Sequence, residues 1–133
     1  MNSSVKQLRV AVTTGDYNRL LAFYHDGLGV DIAEQWDNEQ GRGTILDMGR
    51  ATLEIFNQQQ AATVDHIEVG WRVSGAIRFA LEVPDVNEAV KRAVAHGATL
   101  VHATVVTPWG DHNARIQSPE GTQITLFQVM EKR

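Results

Sequence analysis

Cysteine is absent from the 133 residues. That excludes disulfides, thiolate metal sites and a cysteine nucleophile, and it fits a reducing compartment. A long basic run is also missing, and the formal net charge is −4, so nucleic acid and anionic membranes have little electrostatic claim on the chain. No apolar stretch is long enough to cross a bilayer, and the opening MNSSVKQLRVAV lacks the apolar segment of a secretory signal. The expectation is a soluble, cytoplasmic protein with neither nucleic acid nor membrane as partner. The glycines of GRGTILDMGR are spaced for turns and a strand, and with no Lys-Ser/Thr after them they make no phosphate loop. No Gly-x-Ser-x-Gly elbow occurs either.

What is present is the composition of an ordinary globular domain, 43% hydrophobic and 21% charged, of a length that builds a core without staples. The chain is also written twice. LRVAVTTGDYNRLLAFYHDGLG (8–29) and IRFALEVPDVNEAVKRAVAHGA (77–98) each run from an alternating strand through a turn into a helix opened by Asp. Tyr17, Leu20, Leu21, Tyr24 and Leu28 form one apolar helical stripe, and Val86, Ala89, Val90 and Ala93 form the other. Asp16 and Asp85 are the expected N-caps, with Gly29 and Gly97 closing the helices. Three strand-like runs follow each helix: 30–36, 43–48 and 52–56, then 99–106, 113–117 and 122–127. Each half therefore reads β-α-β-β-β, as 8–56 and 77–128. The polar stretch 57–76 is read as a linker, with an extra strand at 67–73.

Strand parity gives each half two faces. Leu8, Val10 and Val12, then Ile77, Phe79, Leu81 and Val83, then Leu53 and Ile55, then Ile124 and Leu126 are expected to face the helices. Arg9, Ala11 and Thr13, then Arg78, Ala80 and Glu82, then Thr52, Glu54 and Phe56, then Gln123, Thr125 and Phe127 face away. That second face mixes small, polar, charged and aromatic residues and suits a ligand cleft on a curved sheet.

These repeats, the strand TLEIF and the run PWGDHNARIQSPEGTQITLF together resemble the vicinal-oxygen-chelate superfamily of glyoxalases, bleomycin-resistance proteins and extradiol dioxygenases. The resemblance covers 8–56 and 77–128. It implies an α+β fold in which two βαβββ modules form a curved, open, barrel-like mixed sheet around a cleft, in a chain that pairs as a homodimer. Metal-dependent members of that superfamily hold one divalent ion with four strand side chains. The corresponding positions here are Arg9, Glu54, Arg78 and Thr125, and only Glu54 is a metal-type ligand. No metal or other cofactor is therefore expected.

Two readings of Glu54 with Arg9 and Arg78 stand side by side. They form a buried ion-pair cluster in place of the cation, or an arginine keeps donors free for a ligand anion. Phe56 and Phe127 would line the apolar wall and Trp109 the rim. His112 and Arg115 in PWGDHNAR complete the candidate cleft, and Asp111-His112 is weighed as a general base against ordinary loop polarity. The other histidines are not spaced as a zinc site. The leading expectation is a metal-free small-molecule-binding protein whose ligand is apolar or aromatic with a polar or anionic handle. The alternatives are a metal-dependent lyase, isomerase or dioxygenase, and a non-catalytic partner protein whose cleft is filled.

Overall fold

In a computed structural model of the chain, residues 4–22, 25–26, 31–118 and 121–130 are described. The order is β1 (Gln7–Thr13), α1 (Tyr17–Ala22), β2 (Ile32–Asn38), β3 (Gly41–Asp47), β4 (Ala51–Phe56), α2 (Gln58–Glu68), β5 (Ile77–Glu82), α3 (Val86–Ala95), β6 (Thr99–Val106), β7 (His112–Gln117) and β8 (Gln123–Gln128). The six strand-like runs after the two helices all form strands. Both modules join in one eight-stranded mixed sheet of order β2-β3-β4-β1-β5-β8-β7-β6, which is open and not closed into a barrel. Within each module the first strand runs parallel to the last, β1 with β4 and β5 with β8. The modules meet along one antiparallel seam, β1 against β5, with Arg9 opposite Ala80 and Ala11 opposite Arg78.

The helix-facing parity holds for most of the expected residues. Val10, Val12, Leu46, Leu53 and Ile55 pack with Tyr17, Leu20 and Leu21 of α1. Val83, Ala114, Ile116 and Leu126 pack with Val86, Ala89, Val90 and Ala93 of α3. Asp85 caps α3 by accepting from the Glu88 amide at 3.2 Å. Tyr24, Leu28 and Gly29 lie outside the described residues. Among the described residues Leu8, Ile77 and Phe79 join neither helix-packed cluster, and they are 38%, 53% and 37% exposed.

The linker departs from expectation. Residues 67–73 form no strand: Ile67 and Glu68 end α2, and an irregular segment follows. Asn57 caps this helix, its Oδ1 accepting from the Gln60 amide at 2.8 Å and from the Arg42 amide of β3 at 3.1 Å. The buried positions of α2 are Ala61, Val64, Asp65 and Glu68. Their spacing is helical, but two of the four are carboxylates, so no apolar stripe announces the helix.

Candidate functional site

The register assembles the cleft face strand by strand. Glu54 lies between Ile45 and Ala11, and Ala11 lies opposite Arg78. One row over, Thr52, Arg9, Ala80, Thr125 and Arg115 are successive neighbours across five strands. Arg9, Glu54, Phe56, Arg78, Arg115, Thr125 and Phe127 thus share a face. His112 does not share it. It precedes Asn113 by one residue, and alternation sets it with Ala114 and Ile116 on the α3 side. Trp109, 49% exposed in the Thr107–Asp111 turn, makes no ring contact with the cleft residues among those described. Of the loop and strand residues expected together, Arg115 thus lies on the cleft face, His112 on the opposite one and Trp109 in the turn beside β7.

Helix α2 lies across this face. At its start, Trp36 of β2 donates from Nε1 to Gln60 Oε1 at 2.8 Å. Ala61 and Val64 pack on Ala11, Phe56 and Trp36. Two glycines of β3 permit the approach. A Cβ on Gly41, whose φ is +139°, would stand 2.4 Å from the Gln60 backbone, and one on Gly43 would stand 2.2 Å from the Trp36 ring.

At its other end α2 delivers two carboxylates. Glu68 Oε1 accepts from Thr125 Oγ1 at 2.6 Å and from Arg115 Nη2 at 2.9 Å, while its Oε2 accepts from Asn113 Nδ2 at 3.0 Å. Asp65 receives Arg115 Nη1 at 2.9 Å, Arg72 Nη1 at 3.0 Å, the Val73 and Ser74 amides at 2.8 Å and the Ser74 hydroxyl at 2.6 Å. Burial by itself pushes Asp65 up. The Ser74 and Val73 hydrogen bonds and the Arg115 charge outweigh it and hold the carboxyl at about 2. Arg115 is fully buried within this cage.

Glu54 is the opposite case. It is buried, yet among the described residues it has no ion pair, so the contact pair expected with Arg9 or Arg78 is not formed. Burial raises its pKa; the charges of Arg78 and Arg9 oppose that, and Glu68 and Glu34 add to it. Arg78 donates from Nη1 to Thr125 Oγ1 at 2.8 Å. Arg9 donates from Nε to Gln7 Oε1 at 2.8 Å and lies 4.6 Å above the Phe127 ring, a cation–π distance. Thr125 Oγ1 is thus already both donor and acceptor. With two guanidinium groups and one committed hydroxyl beside Glu54, the four positions do not make a donor set for a divalent cation.

The residues that sequence reasoning missed are Asp65, Glu68 and Asn113. Their signal was the i, i+4, i+7 spacing of Ala61, Asp65 and Glu68, visible only once carboxylates are admitted as buried residues. Two concavities lie elsewhere. One of about 480 Å³ separates α3 from the outer sheet face, and one of about 470 Å³ adjoins Ile77 and Phe79.

A family model described as the Glyoxalase/Bleomycin resistance protein/Dioxygenase superfamily matches residues 6–126. No curated protein matches. Among solved structures, methylmalonyl-CoA epimerase from Mycobacterium tuberculosis is 19% identical with a TM-score of 0.63, covering 98% of this chain and 93% of that one. A hypothetical protein, BH1468 from Bacillus halodurans C-125, is 17% identical with a TM-score of 0.64, covering 97% and 96%. A superfamily member from Vibrio splendidus 12B01 is 14% identical with a TM-score of 0.62, covering 92% and 97%. At these identities the likeness speaks to the fold.

Proposed function

The chain belongs to the glyoxalase/bleomycin resistance/dioxygenase superfamily, and from that premise we propose that it binds a small molecule without a divalent metal, seating an anionic handle on Arg78 and Arg9. The observation that carries this reading is Arg78. It is 7% exposed and has no carboxylate within ion-pair distance among the described residues. A buried guanidinium without a counter-ion is costly. Glu54 is an incomplete counter-ion, because burial favours its neutral form. An anion from solution completes the site, and Phe127 and Phe56 supply apolar wall for the rest of the ligand.

Metal analysis and ligand titration test this together. The purified protein is expected to carry no stoichiometric divalent metal, and α-ketoacids or phenolic carboxylates are expected to raise its melting temperature. Arg78→Gln abolishes that rise. Stoichiometric metal lost on Glu54→Gln would restore the metal-dependent lyase, isomerase or dioxygenase reading.

A second reading, a non-catalytic partner protein with a filled cleft, draws support from the α2 anchors at Arg115 and Thr125. It is the outcome if no anion of any class changes the melting temperature. The same proposal has the chain acting in the cytoplasm, consistent with its lack of cysteine, and as a homodimer, which sedimentation velocity measures.

A further inference from the structure

One end of the cleft face gathers groups that the fold itself leaves unsatisfied. Asn113 is 5% exposed, and its Nδ2 donates to Glu68, which fixes the amide so that Oδ1 is the free acceptor. That Oδ1 has no hydrogen-bond partner among the described residues, and buried polar atoms left so are uncommon. Asn113 is the cross-strand neighbour of Phe127 on β8. Phe127 is in turn the neighbour of Glu82 on β5 and carries the Arg9 guanidinium over its ring. Glu82 shares the face of Arg78 and Ala80 by alternation. It is partly exposed and enters no ion pair among the described residues, with Arg9 or any other cation. Among the described residues only the Nε of Arg9 has a hydrogen bond, to Gln7, which sits opposite Glu82. One aromatic ring is thus surrounded by a cation with free N–H groups, an unpaired carboxylate and a buried acceptor without a donor.

We infer that this cluster of Arg9, Glu82, Asn113 and Phe127 is a subsite for the zwitterionic head of an α-amino acid. The carboxylate of the ligand takes the Nη donors of Arg9, a charge-assisted pairing of the strong kind. The ammonium donates to Glu82 and to Asn113 Oδ1, which have acceptor capacity and no resident donor. A simple carboxylate satisfies Arg9 and leaves both acceptors unmet; a simple amine does the reverse. The assignment rests on the proposed anionic handle and adds to it the requirement for a cationic donor on the same ligand.

Titration calorimetry on the intact protein tests this with matched probes: L-phenylalanine, L-leucine and L-glutamate, each beside its deaminated carboxylate and its decarboxylated amine. At least one amino acid is expected to bind about ten-fold or more tightly than both of its analogues, the discrimination one charge-assisted hydrogen bond provides. Glu82→Gln is expected to abolish the amino acid's advantage over its deaminated analogue, and Arg9→Gln to weaken both. If the deaminated carboxylates bind as tightly as the amino acids, the zwitterion subsite is overturned and the anionic handle stands. If nothing binds the wild-type chain, both are overturned. Should Glu82→Gln fail to fold, the comparison of probes on the wild-type chain decides alone.

Discussion

Asp65 and Glu54 are both buried carboxylates on the cleft side of the sheet, and they titrate in opposite directions. Asp65 is held at about 2, below its ordinary 3.8. Its folded-state advantage is therefore complete above pH 3.8 and disappears as the pH falls towards 2, an effect on the order of 2 kcal/mol. In Asp65→Asn the melting temperature is expected to be lower than wild type at pH 7 and to converge with it near pH 2, as read by thermal unfolding across that range. Glu54 is raised above its ordinary 4.5 by burial, so it favours the folded state most at low pH and loses that contribution as the pH climbs through its folded value. Glu54→Gln is expected to be at least as stable as wild type at pH 8 and to gain relative to wild type between pH 4 and pH 8, as measured by urea unfolding. The alternation of TLEIF placed Glu54 on the cleft face. That Glu54 would go unpaired was not legible, because the distance between two side chains on adjacent strands depends on rotamers that sequence does not specify.

At the scale of elements, α2 is the part that the sequence concealed. Helices α1 and α3 announce themselves by apolar stripes, and the strands by alternation. In α2 the buried face includes Asp65 and Glu68, so a reading that equates burial with hydrophobicity sees a polar linker. Its true partners are distant in sequence, and the glycines that admit it sit in a strand whose spacing looked merely strand-like. Gly43→Ala tests that seat. A methyl group 2.2 Å from the Trp36 ring forces the indole off Gly43 and disturbs the Trp36–Gln60 bond, a cost of about 1–3 kcal/mol. Asn57→Ala removes the cap and its bond to Arg42, for about 1 kcal/mol. Chemical denaturation of the two variants measures both losses.

For the molecule as a whole, the duplication was the most legible feature, since a constant offset between Arg9 and Arg78 and between Asp16 and Asp85 needs no energetics to recognise. How the halves are joined was not legible. They share the β1–β5 ladder on one side of the cleft and α2 on the other, with α2 following the first half in sequence and ending on the side chains of the second. Glu68 is the terminal contact, meeting Arg115, Thr125 and Asn113 at once. Removing it leaves Arg115 with one carboxylate partner instead of two, and breaking a buried pair of this kind costs about 3–5 kcal/mol. Differential scanning calorimetry of Glu68→Ala is expected to show a lower melting temperature than wild type and a broadened or split transition, as the two halves lose part of their common anchor.

Gly75 and Ala76 are exposed between the cage of Asp65 and the first residue of β5, and no atom within 4 Å would meet a side chain at Gly75. A chain divided there yields two fragments, each with its own four strands. The first ends in a helical arm whose carboxylates match a receptor on the second, and the open β1 and β5 edges complete the match. Co-expressed, the fragments are expected to reconstitute into one particle, and Glu68→Ala to weaken that reassembly more than it weakens the intact chain. The helix that lies across the cleft face would then serve as the clasp of a two-part complementation system.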